Sequence, residues 1–275
     1  MSWRLEVIHE TSFHYESEVV ASFNEARMTP AIVDQQYLLK HNFSITPIAS
    51  IYEYNDYFNT VVKSFDIQTP HTSLSIVAES IVETYPARET FTSIGWKELN
   101  QKERVDQISE YLEFSQLVDP ITIPFELQSE NSPLEAINSL SEFLREKIIY
   151  TSGATHVFSP ASEAWQKGAG VCQDFTHASL SILRSAGIPA RYVSGYLYTG
   201  NGDIGEVVVG ESHSWVEAWV GEWIPFDPTN GRPVGEDHVI VAKGRDYHDV
   251  SPLKGIFSGG ASRKTEVQVA IKRIS

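Results

Sequence analysis

The sequence has little cysteine, few positive charges and no long apolar run. Cys172 is the only cysteine among 275 residues, which excludes an internal disulfide framework and leaves a free thiol. Acidic residues number 36 against 21 lysines and arginines, a formal net charge of -15. Such a charge argues against a nucleic acid or an anionic membrane surface as partner. A neutral or positively charged substrate is therefore expected.

Membrane and export signals are also lacking. No stretch approaches the roughly 20 apolar residues that a membrane-spanning helix needs, and the opening residues lack the apolar core of a signal peptide. These absences predict a cytoplasmic protein. A content of 41% hydrophobic and 21% charged residues is ordinary for a globular protein, and a length of 275 residues predicts two domains.

Residues 1–95 alternate between apolar and polar side chains, as in Leu5, Val7 and His9, and this period predicts an antiparallel β-domain. From about Trp96 the period becomes helical, with Val105 on a first helical face. A capping serine, a proline and a glutamate at 132–135 then predict a helix near 133–148. The fold class predicted is α+β, with a second domain over residues 96–275.

A glycine-rich stretch leads into a predicted helix that carries the only cysteine. The helix should begin at or just after Cys172 and end near Gly187, where a left-handed cap is favoured and Pro189 blocks continuation. Unpaired amides at a helix N-terminus carry partial positive charge, which favours a thiolate. A lone cysteine is more often a packing residue, but this setting predicts a nucleophile.

Short runs of β-branched and aromatic residues follow this helix. They predict strands over Arg191–Leu197, Val207–Val209, His213–Val220, Trp223–Phe226 and Val239–Val241.

Two of these strands supply a histidine and an acid after Cys172. His213 opens one strand, Asp227 follows the next, and Gly221-Glu222 forms the turn between them. In such a hairpin the first residue of one strand approaches the far end of its partner. A thiol, an imidazole and a carboxylate can act as nucleophile, base and orienting group. Taken alone, the histidine could fill a polar niche, and an aspartate before Pro228 is usually a turn residue.

Six motifs follow one another along the chain. They are His9-Glu10-Thr11-Ser12-Phe13-His14-Tyr15, Gly170-Val171-Cys172-Gln173-Asp174-Phe175, Gly187-Ile188-Pro189-Ala190-Arg191, His213-Ser214-Trp215-Val216-Glu217, Asp227-Pro228-Thr229-Asn230 and Gly244-Arg245-Asp246-Tyr247. In these motifs the chain resembles the transglutaminase-like superfamily of papain-like cysteine enzymes. It is most similar to the bacterial branch that has an additional β-rich N-terminal domain.

The resemblance implies a papain-like, transglutaminase-like core with a helical lead-in in residues 96–275. Its implied catalytic residues are Cys172 as nucleophile, His213 as base and Asp227 as the orienting acid, whose role rests mainly on the resemblance. The implied activity is a cysteine-dependent amide hydrolase, a protease or peptidase that acts on a peptide or peptide-like amide through an acyl-enzyme. A transglutaminase-type acyltransferase and a non-catalytic binding module of the same fold remain alternatives.

The sequence identifies the hydrogen-bond donors of the oxyanion hole less clearly than it identifies the nucleophile. The backbone amide of Cys172 is the expected first donor. Gln173 follows the cysteine instead of preceding it, so the role is not assigned to it, and Gln166, Trp165 and Tyr150 remain open candidates for the second donor.

No cofactor and no metal site are predicted. His9 and His14 are five positions apart on one predicted strand and so face opposite sides. His238 and His248 lie in the C-terminal part without a short ligand spacing.

Overall fold

The computed structural model describes residues 2–88, 92–99, 108–124, 126–210, 212–260 and 263–275. Part of the predicted helical face, including Val105, lies outside these residues. Within the described ranges, no helix has the length and apolar character needed to cross a lipid bilayer. The chain combines antiparallel sheets with helices, which confirms the predicted α+β class.

In chain order the elements are β1 (Trp3–Ala26), β2 (Gln36–Thr46), β3 (Ile51–Asn55), β4 (Val61–Ile67), β5 (His71–Thr84), α1 (Trp96–Leu99), α2 (Pro133–Lys147), β6 (Ile149–Tyr150), α3 (Ala161–Lys167), β7 (Ala169–Gly170), α4 (Cys172–Ser185), β8 (Ala190–Leu197), β9 (Val207–Gly210), β10 (His213–Trp219), β11 (Trp223–Phe226), β12 (His238–Gly244), α5 (Tyr247–Val250), β13 (Leu253–Gly259) and β14 (Arg263–Arg273).

The large sheet is built around β1, which pairs with β5 and β14 along its first half and with β4 and β13 along its second. Alternation along β1 buries Leu5, Val7 and His9 while His14 is exposed, so the two histidines face opposite sides as predicted. Strands β9, β13 and β14 come from the C-terminal part of the chain and complete this sheet. The domain boundary at residue 95 stays a prediction.

The small sheet has the order β11-β10-β8-β12, with all its pairings antiparallel. The predicted strands after the cysteine are confirmed, but β9 pairs with β14 in the large sheet. Helix α4 contacts β10 and β8 and is buried along almost its whole length. Its side chains share one core with Leu5 and Val7 of the large sheet. Each aliphatic side chain fully buried there stabilises the fold by about 1.5–3 kcal/mol.

The ends of the two long helices follow their sequence signals. Ser132 Oγ accepts a hydrogen bond from the Glu135 amide at 3.2 Å, with Pro133 as the first residue of α2. Helix α4 starts at Cys172, and Gly187 after it has a φ of 79°. The amide of Ile188 closes the end by donating to the carbonyl of residue 183 at 2.9 Å. Both predicted helices are confirmed.

Gly195 limits how closely β8, β10 and β12 can pack. A Cβ atom at this position would lie 1.9 Å from the carbonyl oxygen of Val239 and 2.8 Å from the Trp215 ring. Neither the backbone of β12 nor a fully buried tryptophan can move without opening the sheet. We predict that Gly195→Ala lowers the free energy of unfolding by about 1–3 kcal/mol, as overpacked cores do, measured by urea denaturation.

Gly210→Ala is the matched control, because Gly210 also lies in a strand but a Cβ there meets no atom within 4 Å. Its unfolding free energy should stay within about 0.5 kcal/mol of the wild-type value. Equal effects of the two substitutions would show that the close approach at Gly195 does not limit packing.

Candidate active site

Cys172 is half-buried and is the first residue of α4, so its amide has no acceptor within the helix. The carboxylate of Asp174 accepts hydrogen bonds from the Val171 amide at 2.7 Å and from the Thr155 hydroxyl at 2.6 Å. Burial raises the pKa of Asp174. The carboxylate therefore lies at the N-terminal end of the helix, where it satisfies the Val171 amide.

His213 and Asp227 meet at the open end of the β10–β11 hairpin. The register pairs Val216 with Phe226, which leaves the histidine and the aspartate side by side just beyond the last pair. Their Nε2 and Oδ2 atoms are 2.8 Å apart, so the approach inferred from the hairpin is confirmed. The ring nitrogen that faces Asp227 is Nε2.

The protonation of His213 depends on both neighbours. Burial lowers the pKa of His213, but side-chain hydrogen bonds with Asp227 and Cys172 outweigh it and raise the pKa from 6.5 to about 9. The structure therefore brings the three predicted site residues together, and their interactions favour the protonated imidazole of His213.

Asp227 acts both as a turn residue and as the acid that contacts His213, the two alternatives that the sequence left open. Its Oδ1 accepts the amides of Thr229 at 2.9 Å and Asn230 at 3.2 Å. Its Oδ2 accepts from His213 and, at 2.8 Å, from the Asn230 side chain. Burial raises the pKa of Asp227, but the hydrogen bond from His213 and the nearby His238 side chain bring it well below its usual range. A single carboxylate thus shapes the turn and holds the imidazole.

His238 is a site residue that the sequence did not reveal. Its side chain is buried, with Nε2 3.6 Å from Asp227 Oδ2 and Nδ1 hydrogen-bonded to Asp237. Asp237 in turn pairs with Arg232 at 3.2 Å. His238 and His213 lie near the same end of β8, on strands to either side of it. The available signal was a histidine at the start of a predicted strand, but strand order cannot be read from one sequence.

Among the residues that the structure describes, His213, Asp227 and His238 form a group that could hold a metal ion. One ligand atom from each of His213, Asp227 and His238 lies within 4.8 Å of the others. The direct hydrogen bond between His213 and Asp227 explains their approach without an ion. The absence of a metal site stays a prediction.

A chain of hydroxyl groups runs beside Cys172. Thr176 Oγ1 donates to the Cys172 carbonyl at 2.9 Å and lies 3.1 Å from Ser214 Oγ. Burial, together with the charge of a Cys172 thiolate, raises the pKa of Tyr192 well above its usual value. A neutral phenol therefore stands next to the thiol.

The three candidates for the second oxyanion donor lie in different settings. Tyr150 of β6 pairs with Gly170 in the segment that leads into α4. The Trp165 ring packs 5.8 Å from that of Phe143, and Gln166 is exposed. Tyr150 is thus the candidate whose strand is paired with the approach to Cys172, and the identity of the donor stays a prediction.

Two family models match the chain. The bacterial transglutaminase-like N-terminal region matches residues 5–83, and the transglutaminase-like superfamily matches residues 121–228. An uncharacterized protein of Mycobacterium leprae is 39% identical over 278 residues, which covers 99% of this chain and 100% of that protein. The chain belongs to the transglutaminase-like superfamily. The resemblance read from the motifs is confirmed.

Other relatives of this transglutaminase-like protein span less of its sequence or are more distant. An uncharacterized protein of Mycobacterium tuberculosis is 28% identical over 285 residues, covering 92% of this chain and 87% of the other. A Pseudomonas aeruginosa protein named protein-glutamine gamma-glutamyltransferase is 38% identical over 66 residues, 22% of this chain and 10% of its own.

One solved structure has the same fold over the whole chain. The crystal structure of a "putative cysteine protease" from Cytophaga hutchinsonii superposes with a TM-score of 0.78 at 20% identity. The superposition covers 100% of this chain and 92% of the other. The predicted arrangement of a β-rich N-terminal part and a transglutaminase-like core is thereby confirmed.

Asp227→Asn tests how the carboxylate sets the charge of His213. Loss of the negative charge should lower the pKa of His213 from about 9, by about 1–3 units for a close ion pair. The alkylation rate of Cys172 by iodoacetamide is measured from pH 5 to 10. The high-pH limb of this rate profile should shift to lower pH by the same amount as the pKa of His213. Asp203→Asn, at an exposed loop position, is the control and should leave the limb in place. An unmoved limb in Asp227→Asn would remove Asp227 from the control of His213.

Proposed function

We propose that this protein is a cysteine-dependent amide hydrolase of the protease or peptidase type. The observation that supports this most directly is the 2.8 Å hydrogen bond between His213 and Asp227, together with Cys172 as a second group that raises the pKa of His213. The thiol at the start of α4 adds the electrostatic contribution of a helix N-terminus. A nucleophile, a proton carrier and an orienting acid are then in place.

In the first half-reaction His213 holds the proton of the Cys172 thiol. The thiolate sulfur bonds to the carbonyl carbon of the amide, and the carbonyl electron pair moves to oxygen, where the Cys172 amide can stabilise it. The carbon–nitrogen bond breaks as His213 donates its proton to the leaving nitrogen. An amine departs, and a thioester to Cys172 remains.

In the second half-reaction water attacks the thioester carbon and transfers a proton to His213. The carbon–sulfur bond breaks, the carboxylic acid leaves, and the resting thiolate with its protonated histidine is restored. Throughout, Asp227 fixes the orientation of the imidazole and balances its positive charge.

An acyltransferase is the second candidate, because an amine can replace water in attack on the same thioester. The Pseudomonas relative's name, protein-glutamine gamma-glutamyltransferase, favours this candidate over the 66 residues that match. The description of the Cytophaga structure as a "putative cysteine protease" favours hydrolysis. Mass spectrometry of products formed with and without an added primary amine distinguishes a free acid from a new amide.

Cys172 should react with iodoacetamide at pH 6.5 much faster than a free thiol with a pKa of about 8.5. The reason is that the helix start and the protonated His213 stabilise the thiolate.

His213→Ala should reduce the turnover of an amide substrate by about 10²–10⁴-fold, the usual contribution of general acid–base catalysis. Intact-protein mass spectrometry measures the alkylation, and release of the amine measures turnover.

His14→Ala serves as the control, since His14 is exposed on β1 and should leave both rates unchanged. A Cys172 rate equal to that of the free thiol would contradict the proposed nucleophile. Retention of more than about a tenth of wild-type turnover in His213→Ala would remove that residue from the mechanism.

A further inference from the structure

A cavity of about 670 Å³ lies between the large sheet and the segments that carry Phe158, Ser212 and Tyr247. Ser212, the residue before His213, lines it. Val157 lines it too, and the Val157 carbonyl accepts a hydrogen bond at 2.9 Å from the side chain of Gln173, the residue after Cys172. The cavity is therefore connected to His213 through the preceding residue, and to Cys172 through the hydrogen bond between Val157 and Gln173.

A third connection runs through the aromatic residues of the core. Tyr247 lines the cavity, and its ring lies 6.4 Å from that of Tyr192, the phenol that stands next to Cys172. The opposite wall comes from the large sheet, where Phe13 of β1 and Val267 of β14 contribute. A substrate seated here would contact both the sheet and the core.

The walls of this cavity are mainly aromatic and aliphatic. Phe158 and Val157 at its edge are 62% and 46% exposed, and Val267 on the facing strand is 46% exposed. Exposed apolar side chains lose contact with water when an apolar group covers them, which favours binding. A volume of about 670 Å³ accommodates more than one amino-acid side chain.

The charge of the cavity is small and positive. Among the described lining residues, no carboxylate is present and Lys254 is the one Lys or Arg side chain. His9 is hydrogen-bonded to Tyr196 at 2.9 Å and to Thr11 at 3.3 Å, and burial lowers the pKa of His9 to about 4. His9 is therefore neutral near pH 7. His248 also lines the cavity, with its Nδ1 3.6 Å from Asp246 Oδ1. A cationic side chain would meet Lys254 and no carboxylate among the described lining residues.

We propose that this cavity binds the acyl-donor side of the substrate and selects an uncharged aromatic or branched aliphatic residue next to the scissile amide. The inference rests on the proposed function, because it assigns the substrate class of the same nucleophile. Under this proposal, the cavity between the large sheet and the core determines which substrate side chain is preferred.

The test uses three chloromethyl ketones that alkylate Cys172 and differ in one side chain: N-acetyl-phenylalanyl, N-acetyl-alanyl and N-acetyl-lysyl. Each second-order rate constant is divided by the iodoacetamide rate constant of the same variant. The phenylalanyl reagent should exceed the alanyl reagent by roughly tenfold or more, as apolar pockets discriminate. The lysyl reagent should not exceed the alanyl one.

Two variants assign the selectivity to the cavity. Phe158→Ala should reduce the phenylalanyl-to-alanyl ratio several-fold, whereas Phe23→Ala should leave it unchanged, because Phe23 is a similarly exposed phenylalanine on β1 outside the cavity. Lys254→Gln removes the cation and should raise the lysyl reagent relative to the phenylalanyl one.

The outcomes separate this inference from the proposed function. A fast iodoacetamide reaction with no preference among the three reagents, or with a preference that Phe158→Ala leaves intact, overturns the assignment of the cavity while the nucleophile stands. An iodoacetamide rate no greater than that of a free thiol overturns the nucleophile and the cavity assignment with it.

Discussion

The hydrogen bond between His213 and Asp227 depends on the hairpin that carries both residues. Strand β10 is an inner strand of the small sheet, with β11 on one side and β8 on the other. Gly221 in the connecting turn has a φ of 108°, a conformation that side chains other than glycine rarely adopt. Because the register is fixed from this turn, the distance between the imidazole and the carboxylate does not depend on a flexible loop.

The surrounding polar groups hold the carboxylate in place. Both oxygens of Asp227 are hydrogen-bonded, and His238 lies beside Oδ2. A buried charge with unsatisfied acceptors would be costly. The line of groups from Arg232 through Asp237 and His238 to Asp227 therefore makes a buried anion tolerable next to a histidine that must carry a proton.

Local features of the site could be predicted from the sequence, and long-range ones could not. The start of α4 and the turn at Gly221-Glu222 have signals within a few residues of sequence. The placement of Cys172, His213 and Asp227 could therefore be predicted. His238 lies on β12, which is separated from β10 by β8, and alternation along a strand specifies its faces but not its neighbours. The same limit applies to β14, whose pairing with β1 joins residues at opposite ends of the chain.

Net charge and local charge also lead to different expectations for the substrate. The chain as a whole carries a formal charge of -15, which by itself favours neutral or cationic partners. At physiological ionic strength, however, exposed charges are screened over about 8 Å, so distant acids act on the rate of encounter more than on a bound side chain. Within the cavity lined by Phe158 and Tyr247, Lys254 is the one Lys or Arg side chain among the described lining residues. Composition allows neutral or cationic substrates, whereas the lining of this cavity favours neutral side chains. Apolar contact with Phe158 and Tyr247 would then supply the attraction, because no opposite charge does.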